Sequence, residues 1–304
     1  MTTSVDLIVI GGGAGGLSAA REGLRHGART VLVQDGPPGG DCTFTGCVPS
    51  KTLLASARRG DSFADALSTV HATVARIAAT EDADTLRAEG AEVLTGRGAF
   101  VDRKTISANG HRFSASRIVI ATGSRPASPP VEGLASASPL TNESLFDLSE
   151  QPEHLVVLGG GPIGCEMAQA FTLLGTRVTM IEREERLLPR DDPQAGDVVQ
   201  TVLDRQGVNV RTGAAATLGR RSTGSGRSFV HLEGSEPFEA DQVLVAAGRT
   251  PVTSGLDGDR AGVRLNQRGA VEVDTTMVTS ASGIWAVGDV TGGMQFTHAA
   301  GRMA

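Results

Sequence analysis

The stretch Val5-Asp6-Leu7-Ile8-Val9-Ile10-Gly11-Gly12-Gly13-Ala14-Gly15-Gly16 decides how the rest of the chain is interpreted. An apolar run of strand length ends in a G-x-G-x-x-G pattern at Gly11, Gly13 and Gly16, and a helical pattern follows as far as Gly27. In that setting the glycines let the backbone approach a pyrophosphate, which lies at the N-terminus of the helix. A glycine-rich turn without a ligand is the alternative, but the flanking strand and helix favour a dinucleotide site.

The same pattern occurs a second time, where an apolar run at 155–158 leads into Gly159, Gly161 and Gly164 and then into a helical stretch. In both copies the residue that ends the next strand lies 23 positions after the first glycine, from 11 to 34 and from 159 to 182. Two matches in one chain predict two bound dinucleotides, a flavin and a nicotinamide nucleotide.

The two strand-end residues differ in charge. An acid at this place accepts hydrogen bonds from ribose hydroxyls, so Glu182 favours NAD over NADP. A solvated strand-end charge is the alternative for Glu182. Gln34 carries no charge and would bind a hydroxyl more weakly. Asp35, the next residue, is the alternative contact for that ribose.

Composition narrows the class of protein. The chain has 304 residues, 39% of them hydrophobic and 20% charged, which predicts a globular protein of about two domains. A net charge of −6 and 3% aromatic residues argue against nucleic-acid binding. The first apolar run is too short for a signal peptide or a membrane span. The cysteine count of three favours a reducing compartment, so we expect the cytoplasm.

Two of those cysteines lie five positions apart in Gly39-Gly40-Asp41-Cys42-Thr43-Phe44-Thr45-Gly46-Cys47-Val48-Pro49-Ser50-Lys51. In a regular helix such positions are roughly 8–9 Å apart, and a disulfide needs Cα atoms within about 7 Å. A bridge would therefore distort the first helical turn, where Gly46 helps the chain to bend. A reduced Cys47 would lie beside a helix N-terminus, which favours the thiolate. Two buried cysteines on a core helix are the alternative.

This segment fills every fixed position of the pattern Gly-Gly-x-Cys-x4-Cys-x-Pro-x-Lys. It therefore resembles the redox-active segment of the flavoprotein disulfide reductases, the family of glutathione reductase, lipoamide dehydrogenase and mercuric reductase. The resemblance implies a Cys42–Cys47 disulfide beside FAD, with Cys47 as the flavin-proximal thiolate and Cys42 exchanging with substrate. It also implies that Lys51 pairs with Glu166 next to the flavin ring. These four residues are the predicted catalytic set.

The resemblance extends to further cofactor contacts. It implies that the chain passes the flavin at Thr122-Gly123, that Asp289 binds the ribityl chain, and that the helix opening at Thr297 points toward the flavin pyrimidine. Gly248 lies in the segment that closes the nicotinamide domain in this family. The predicted cofactor-binding residues are Gly11, Gly13, Gly16, Gln34, Asp35, Asp41, Lys51, Thr122, Gly123, Gly159, Gly161, Gly164, Glu182, Gly248, Asp289 and Thr297. No metal ligands are predicted.

The expected fold is α/β, with two Rossmann-like doubly wound domains and the NAD(P) domain inserted in the FAD domain. Residues 1–148 and 268–304 are assigned to the FAD domain and 149–267 to the NAD(P) domain, with a turn at 222–226. Full-length relatives form homodimers through a C-terminal interface domain, which we expect to be absent from this chain.

These features predict an FAD-dependent oxidoreductase that passes electrons from NAD(P)H through FAD to Cys42–Cys47 and then to an acceptor. A small disulfide, a lipoyl group, Hg²⁺ and a quinone all remain open as acceptors, and a small molecule or small protein is the expected partner. The residues Asp41, Thr43 and Phe44 resemble the mercuric reductase branch more closely than they resemble lipoamide dehydrogenase. The alternative is a truncated, catalytically incomplete fragment that binds flavin and nucleotide.

Overall fold

The computed structural model of the protein describes residues 2–218, 227–232 and 235–304. The turn predicted at 222–226 lies outside the described residues. The helices of the described chain are α1 (Ala14–Arg25), α2 (Gly40–Phe44), α3 (Cys47–Arg59), α4 (Phe63–Ala78), α5 (Ala83–Ala88), α6 (Pro162–Leu173), α7 (Pro193–Arg205) and α8 (Thr297–Met303). None of them is long and apolar enough to cross a bilayer.

The β-strands of the described residues are short and are distributed along the sequence. They are β1 (Thr2–Ser4), β2 (Leu7–Ile10), β3 (Thr30–Gln34), β4 (Glu92–Thr95), β5 (Ala99–Phe100), β6 (Thr105–Ala108), β7 (His111–Ser114), β8 (Arg117–Ile120), β9 (Ser124–Pro126), β10 (His154–Leu158), β11 (Arg177–Ile181), β12 (Asn209–Arg211), β13 (Ala216–Leu218), β14 (Ser228–Leu232), β15 (Phe238–Ala240), β16 (Gln242–Val245), β17 (Arg249–Pro251) and β18 (Ile284–Ala286).

The chain divides into two compact units. The first comprises Met1–Phe44, Ala75–Arg125 and Thr250–Ala304, and the second comprises Thr45–Val74 and Pro126–Arg249. The units differ from the predicted domain segments, because residues 45–74 and 126–148 pack in the second unit and 250–267 in the first. The reason is apolar packing, since α3 and the start of α4 share a core with α6. Which unit binds which dinucleotide stays a prediction.

The first unit is built on a five-stranded parallel sheet in the order β18-β8-β2-β3-β4. The side chains of β2 alternate between two cores. Ile8 and Ile10 pack with residues of the neighbouring sheet β1-β7-β6-β5, whereas Leu7 and Val9 pack with α1. Because both faces are covered, β2 is apolar at every position. The carboxyl ends of β2, β3, β8 and β18 therefore meet at one edge of this sheet.

The second unit repeats this plan with a four-stranded parallel sheet in the order β12-β11-β10-β16. Leu155 and Val157 of β10 face the core that contains α6, while Val156 and Leu158 pack with the antiparallel sheet β13-β14-β15. Each unit thus has a parallel sheet in which one strand, β2 or β10, is followed by a glycine loop and a helix. This arrangement is the predicted α/β class.

Candidate active site

The first glycine loop joins β2 to α1 at the carboxyl edge of the first sheet. Gly11 has a φ of +106°, and a Cβ there would collide with the carbonyl oxygen of Ala121. A Cβ on Gly16 would collide with the carbonyl oxygen of Gly11. Gly13 is the N-cap of α1, and no described side chain caps its first turn. The N–H groups of that turn are thus available to an anion.

The strand-end residue Gln34 is bound to this loop. The Gly12 N–H donates to Gln34 Oε1 at 2.5 Å, and Gln34 Nε2 donates to the carbonyl oxygens of Asp35 at 3.1 Å and Pro37 at 3.4 Å. The Asp35 carboxylate instead pairs with Arg97 Nε at 2.8 Å, in an exposed position. Gln34 is therefore bound to the first loop, whereas the Asp35 carboxylate is bound to Arg97.

Helix α2 lies against the same loop and carries Cys42. The Gly39 N–H donates to the Gly12 carbonyl oxygen at 2.8 Å, and a Cβ on Gly40 would be 2.7 Å from Gly13 Cα. Within the helix Asp41 is exposed and Cys42 is half-buried. The first unit thus places Cys42 beside its glycine loop.

The remaining predicted flavin residues lie at the ends of β8 and β18 or just beyond. The Thr122 hydroxyl donates a hydrogen bond to the Val252 carbonyl oxygen at 2.6 Å. Its proton is therefore already used in a bond to the backbone. Asp289 Oδ2 accepts a hydrogen bond from Ser124 Oγ at 2.5 Å. Gly123 has a φ of +70°, and Thr297 is the first residue of α8. Since β8 and β18 are parallel neighbours next to β2, Thr122 and Asp289 share the edge of the glycine loop.

The second glycine loop joins β10 to α6 with the same backbone geometry. Gly159 has a φ of +115°, and a Cβ on Gly164 would collide with the carbonyl oxygen of Gly159. No described heavy atom lies within 4 Å of a Cβ built on Gly161, the N-cap of α6, so this position faces open space. Gly248, which follows β16, has a φ of +112° and is equally open among the described residues.

Glu182 ends β11 and closes this loop from the other side. It is 8% exposed. Its Oε2 accepts the Gly160 N–H at 2.5 Å and its Oε1 accepts the Glu184 N–H at 2.8 Å. The arginines that follow are committed elsewhere, since Arg186 donates to the carbonyl oxygens of 188, 189 and 191, and Arg183 pairs with Glu184. Among the described residues, the carboxylate is therefore held at the loop by two backbone N–H groups.

Cys165 lies directly under the second loop and is buried. Its thiol donates to the Gly160 carbonyl oxygen at 3.4 Å. Burial, together with the carboxylates of Glu182 and Glu166, raises the pKa of this thiol to about 12. Cys165 therefore stays protonated and has a packing role.

Cys47 is the first residue of α3 and is exposed. One turn later on the same helix, Lys51 Nζ lies 2.7 Å from Glu166 Oε1 and 2.9 Å from Oε2. The expected Lys51–Glu166 pair is thus present, and it joins α3 to α6. Residues at i and i+4 share a helix face, so Cys47 and Lys51 project from the same side of α3.

Comparisons with known proteins agree with this arrangement. The family model described as pyridine nucleotide-disulphide oxidoreductase matches residues 5–304. The chain belongs to this family. The match confirms the predicted resemblance to mercuric reductase, glutathione reductase and lipoamide dehydrogenase, and also the fold class of two Rossmann-like domains. The family is FAD-dependent and uses NAD(P)H.

Among curated relatives of this oxidoreductase family, the mercuric reductase of Staphylococcus aureus is 36% identical over 97% of this chain and 57% of its own length. The glutathione reductase of Burkholderia cepacia is 35% identical over 97% of the chain and 68% of its own length. A solved structure of the HOCl-induced flavoprotein disulfide reductase RclA from Escherichia coli superposes with a TM-score of 0.91 at 31% identity, covering 98% of this chain and 69% of that one. The chain thus spans between 50% and 68% of the length of the mercuric reductases it matches.

Several polar residues of the site carry no motif and were missed by sequence reasoning. Ser124 binds Asp289, Glu81 binds Thr43, and Asn142 binds Thr45. Each is far in sequence from the residue it contacts, so only tertiary structure brings them together. Among the described residues no group of three or more His, Cys, Asp or Glu side chains is arranged to hold a metal ion.

Proposed function

We propose that this chain is an FAD-dependent NAD(P)H oxidoreductase that reduces a Cys42–Cys47 disulfide and passes the electrons to a disulfide, metal ion or other acceptor. In a balanced step, NADH and one proton reduce one S–S bond to two thiols and give NAD⁺. FAD, when bound, supplies the two-electron relay between the nicotinamide and the sulfur atoms. The residues of the chain bind, orient and polarise the groups around that relay.

The Lys51–Glu166 ion pair is the observation that carries the proposal. The carboxylate binds Lys51 Nζ through both of its oxygens, which fixes the ammonium group on the face of α3 that also bears Cys47. A nearby ammonium group and a helix N-terminus both favour the thiolate form of a cysteine. Cys47 therefore has the surroundings that the flavin-proximal thiolate needs, while Cys42 is proposed to exchange with substrate.

The residues present are suited to both dinucleotides. Each glycine loop leaves the first turn of a helix without a side-chain cap among the described residues, and Gly161 of the second loop has open space beside it among those residues. For FAD we propose the loop of Gly11, Gly13 and Gly16, with Gln34 at the adenosine ribose, the exposed Asp35 and Asp41 nearby in sequence, Lys51 at the ring, and Thr122, Gly123, Asp289 and Thr297 at the edge of the first sheet. For the nicotinamide nucleotide we propose Gly159, Gly161, Gly164, Glu182 and Gly248.

NADH is proposed as the donor in preference to NADPH. The buried Glu182 carboxylate is held at the second loop, where it would accept the ribose 2′-hydroxyl and repel a 2′-phosphate. Arg186, which could otherwise neutralise a phosphate, already donates to three carbonyl oxygens. Flavin reduction rates with the two nucleotides test this choice, and a higher rate constant over Kd for NADPH would overturn it.

The acceptor is proposed to be a small molecule that reacts with thiols, either a disulfide or a sulfur-seeking metal ion. The relatives include proteins named mercuric reductase and glutathione reductase, and a Cu(II) complex of RclA has been solved. All three names point to acceptors that bind sulfur, and the accessible Cys42–Cys47 segment is the part of this chain that offers sulfur. A homodimer and a cytoplasmic location stay expectations.

Visible absorbance provides the test. The purified chain should bind FAD, and NADH should make both segment cysteines reactive toward iodoacetamide and produce a long-wavelength absorbance band. Cys47→Ser should abolish this band, and Cys42→Ser should leave it present without NADH; the reverse result would exchange the two roles. A colourless protein whose cysteines do not respond to NADH after reconstitution with FAD would favour the catalytically incomplete fragment.

A further inference from the structure

The two threonines on either side of Phe44 are each hydrogen-bonded to a residue far away in sequence. Thr43 follows Cys42 in the first unit, and Thr45 precedes Cys47 in the second. Thr43 contacts Glu81 of the first unit, and Thr45 contacts Asn142 of the second. Each cysteine therefore has an anchored threonine one or two positions away, within its own unit.

The first anchor holds α2. This helix has five residues, which is too short to be stable by itself. Thr43 is 3% exposed, and its Oγ1 donates to Glu81 Oε2 at 2.8 Å. A hydrogen bond to a carboxylate is one of the stronger kinds in proteins. The main-chain bond from Gly39 to Gly12 fixes the start of the segment, so Glu81 supplies the side-chain contact at the other end of α2.

Glu81 is itself well placed to serve as a fixed point. It follows α4, and its N–H donates to the Ala78 carbonyl oxygen at 3.0 Å. The next residue, Asp82, caps α5 through the Thr85 N–H at 2.7 Å. Arg21 of α1 donates to the Thr80 carbonyl oxygen at 3.3 Å, and Glu81 contributes to raising the pKa of this guanidinium, after the larger effect of Glu89. The carboxylate thus lies between α1 and α2.

The second anchor holds the turn before α3. Asn142 is 8% exposed, and its Nδ2 donates to the Thr45 carbonyl oxygen at 3.1 Å and lies 3.3 Å from Thr45 Oγ1. Its Oδ1 accepts a hydrogen bond from Arg249 Nη1 at 3.4 Å. The Gly46 carbonyl oxygen then accepts the Ser50 N–H, which starts α3 at Cys47.

We propose that Glu81 and Asn142 are positioning residues of the dithiol, Glu81 for Cys42 and Asn142 for Cys47. Each restricts the motion of one sulfur within its own unit, which reduces the conformational entropy that is lost when the two sulfurs form a bond. Their redox consequence rests on the proposed function. In that step dithiothreitol reduces the protein disulfide, one S–S bond breaks in the protein and one forms in the reagent, and two protons move to the protein thiols.

The first test measures alkylation of the reduced chain by iodoacetamide, with each cysteine quantified separately by mass spectrometry. Thr43→Val should speed alkylation of Cys42 about threefold and leave Cys47 unchanged. Asn142→Ala should speed alkylation of Cys47 about threefold and leave Cys42 unchanged. Thr43→Ser keeps the hydroxyl and should restore the wild-type rate at Cys42. Equal acceleration of both cysteines in either variant, or acceleration of neither, would overturn the proposal, because loosened packing alone is not selective.

The second test measures the equilibrium between the Cys42–Cys47 disulfide and dithiothreitol. Thr43→Val and Glu81→Ala should each make the disulfide about threefold easier to reduce, and the double variant should equal either single one. Glu81→Gln retains an acceptor and should shift the equilibrium less than Glu81→Ala. Additive effects of Thr43→Val and Glu81→Ala in the double variant would contradict the proposal that the two residues act through their shared hydrogen bond. If the wild-type pair forms no disulfide at any ratio of reagents, the proposed function fails, and the alkylation experiment still decides whether the anchors exist.

Discussion

The two glycine loops have nearly identical backbones and different polar partners. Their first glycines have φ values of +106° and +115°, and their N-cap glycines have φ and ψ of −80° and −173° at Gly13 and −75° and −178° at Gly161. In both, the N–H of the second loop residue donates to the strand-end side chain at 2.5 Å. The backbone frame is therefore common to both loops, and under the proposed function the side chains around it would determine which dinucleotide binds.

Three differences distinguish the loops. The strand-end partner is an amide at Gln34 and a carboxylate at Glu182. The first loop is lined by Gly40 of α2, whereas Gly161 faces open space among the described residues. Seven positions after the first glycine, α1 has Ser18 and α6 has Glu166, which binds Lys51. Within the second unit, the charge of Glu166 on α6 is therefore paired with Lys51 of α3.

The largest expected effect tests the shared frame. Gly164→Ala places a Cβ against the carbonyl oxygen of Gly159, which is backbone and cannot move aside. We expect a loss of about 3 kcal/mol in the free energy of unfolding by urea, the upper part of the overpacking range, although alanine is the better helix former. Gly16→Ala should cost a similar amount, since its Cβ would meet the Gly11 carbonyl oxygen.

Gly161→Ala is the matched control. Its φ is −75°, and no described heavy atom lies within 4 Å of the added Cβ, so stability should change by less than about 0.5 kcal/mol. The methyl group would instead occupy the space proposed for a phosphate, and NADH affinity should fall. Equal destabilisation by Gly161→Ala and Gly164→Ala would contradict the open space at Gly161, and an unchanged NADH affinity in Gly161→Ala would contradict its role as a ligand position.

The next prediction converts the polar partner of the second loop into that of the first. Glu182→Gln keeps an acceptor for the Gly160 N–H but removes the charge that opposes a 2′-phosphate. Two charges about 4 Å apart repel by roughly 4 kcal/mol at an effective dielectric of 20. Solvent screening reduces this, so we expect the ratio of NADH to NADPH rates to fall about tenfold, which is about 1.4 kcal/mol.

Stopped-flow flavin reduction with both nucleotides measures the ratio. Gln34→Glu is the matched control, because it changes the equivalent residue of the other loop and should leave nucleotide choice unaltered. A ratio unchanged by Glu182→Gln would mean that Glu182 only braces the loop through Gly160 and Glu184.

A smaller effect is expected from the ion pair between Lys51 of α3 and Glu166 of α6. Lys51 is 59% exposed and Glu166 is 31% exposed on their side chains, so Lys51→Met should change stability by less than about 1 kcal/mol. Its effect should appear at Cys47, which loses a neighbouring positive charge. We expect alkylation of reduced Cys47 at pH 7 to slow about threefold.

Arg58→Met provides the control for this experiment. Arg58 also reaches from α3 to α6, where its Nη2 donates to Gln169 Oε1 at 3.3 Å, but it lies two turns farther from Cys47 than Lys51 does. It removes one positive charge from the same pair of helices. If Arg58→Met slowed Cys47 as much as Lys51→Met, the effect would be general electrostatics and not the pair with Glu166.

The sequence predicted the two glycine loops better than the tertiary contacts around them, for a physical reason. Strand, G-x-G-x-x-G and helix are local and repeat with a fixed spacing, so both loops and the Lys51–Glu166 pair could be expected from motifs. The unit boundary inside α4 could not be expected, because Phe63 and Leu67 join the core of α6 through contacts more than 90 residues apart. Domain limits follow apolar packing, and packing leaves no motif.

The positioning residues were missed for the same reason. Glu81 and Asn142 are single polar residues in unremarkable turns, and each contacts its threonine across 38 and 97 residues respectively. Asp35 is the alternative ribose contact that the sequence predicts, because it follows the strand-end residue Gln34. Its pairing with Arg97 depends on a side chain 62 positions away. Local patterns can nominate residues at such an edge but cannot show where each side chain is bound.

The smallest expected effect lies at the opposite edge of the second sheet, where His154 starts β10 at the place that Asp6 holds before β2. His154 is buried, its Nδ1 donates to the Glu239 carbonyl oxygen at 2.8 Å, and its Nε2 lies 2.9 Å from Thr179 Oγ1. Burial lowers the pKa of His154 below its usual 6.5, and the charge of Arg177 acts in the same direction. The folded protein therefore holds a neutral imidazole at neutral pH.

The sign of the pH dependence follows from this lowered pKa. As the pH falls through about 6.5, the unfolded chain binds a proton that the folded chain does not, so stability decreases until the pH passes the folded pKa. His154→Gln should reduce the drop in Tm between pH 7.5 and 5.5 by about 2 °C, measured by circular dichroism. His111→Gln, at an exposed hairpin position, should leave the pH dependence of Tm as in the wild type. A drop that is unchanged in His154→Gln, or reduced equally in both variants, would show that the acid sensitivity of the second unit arises from other groups.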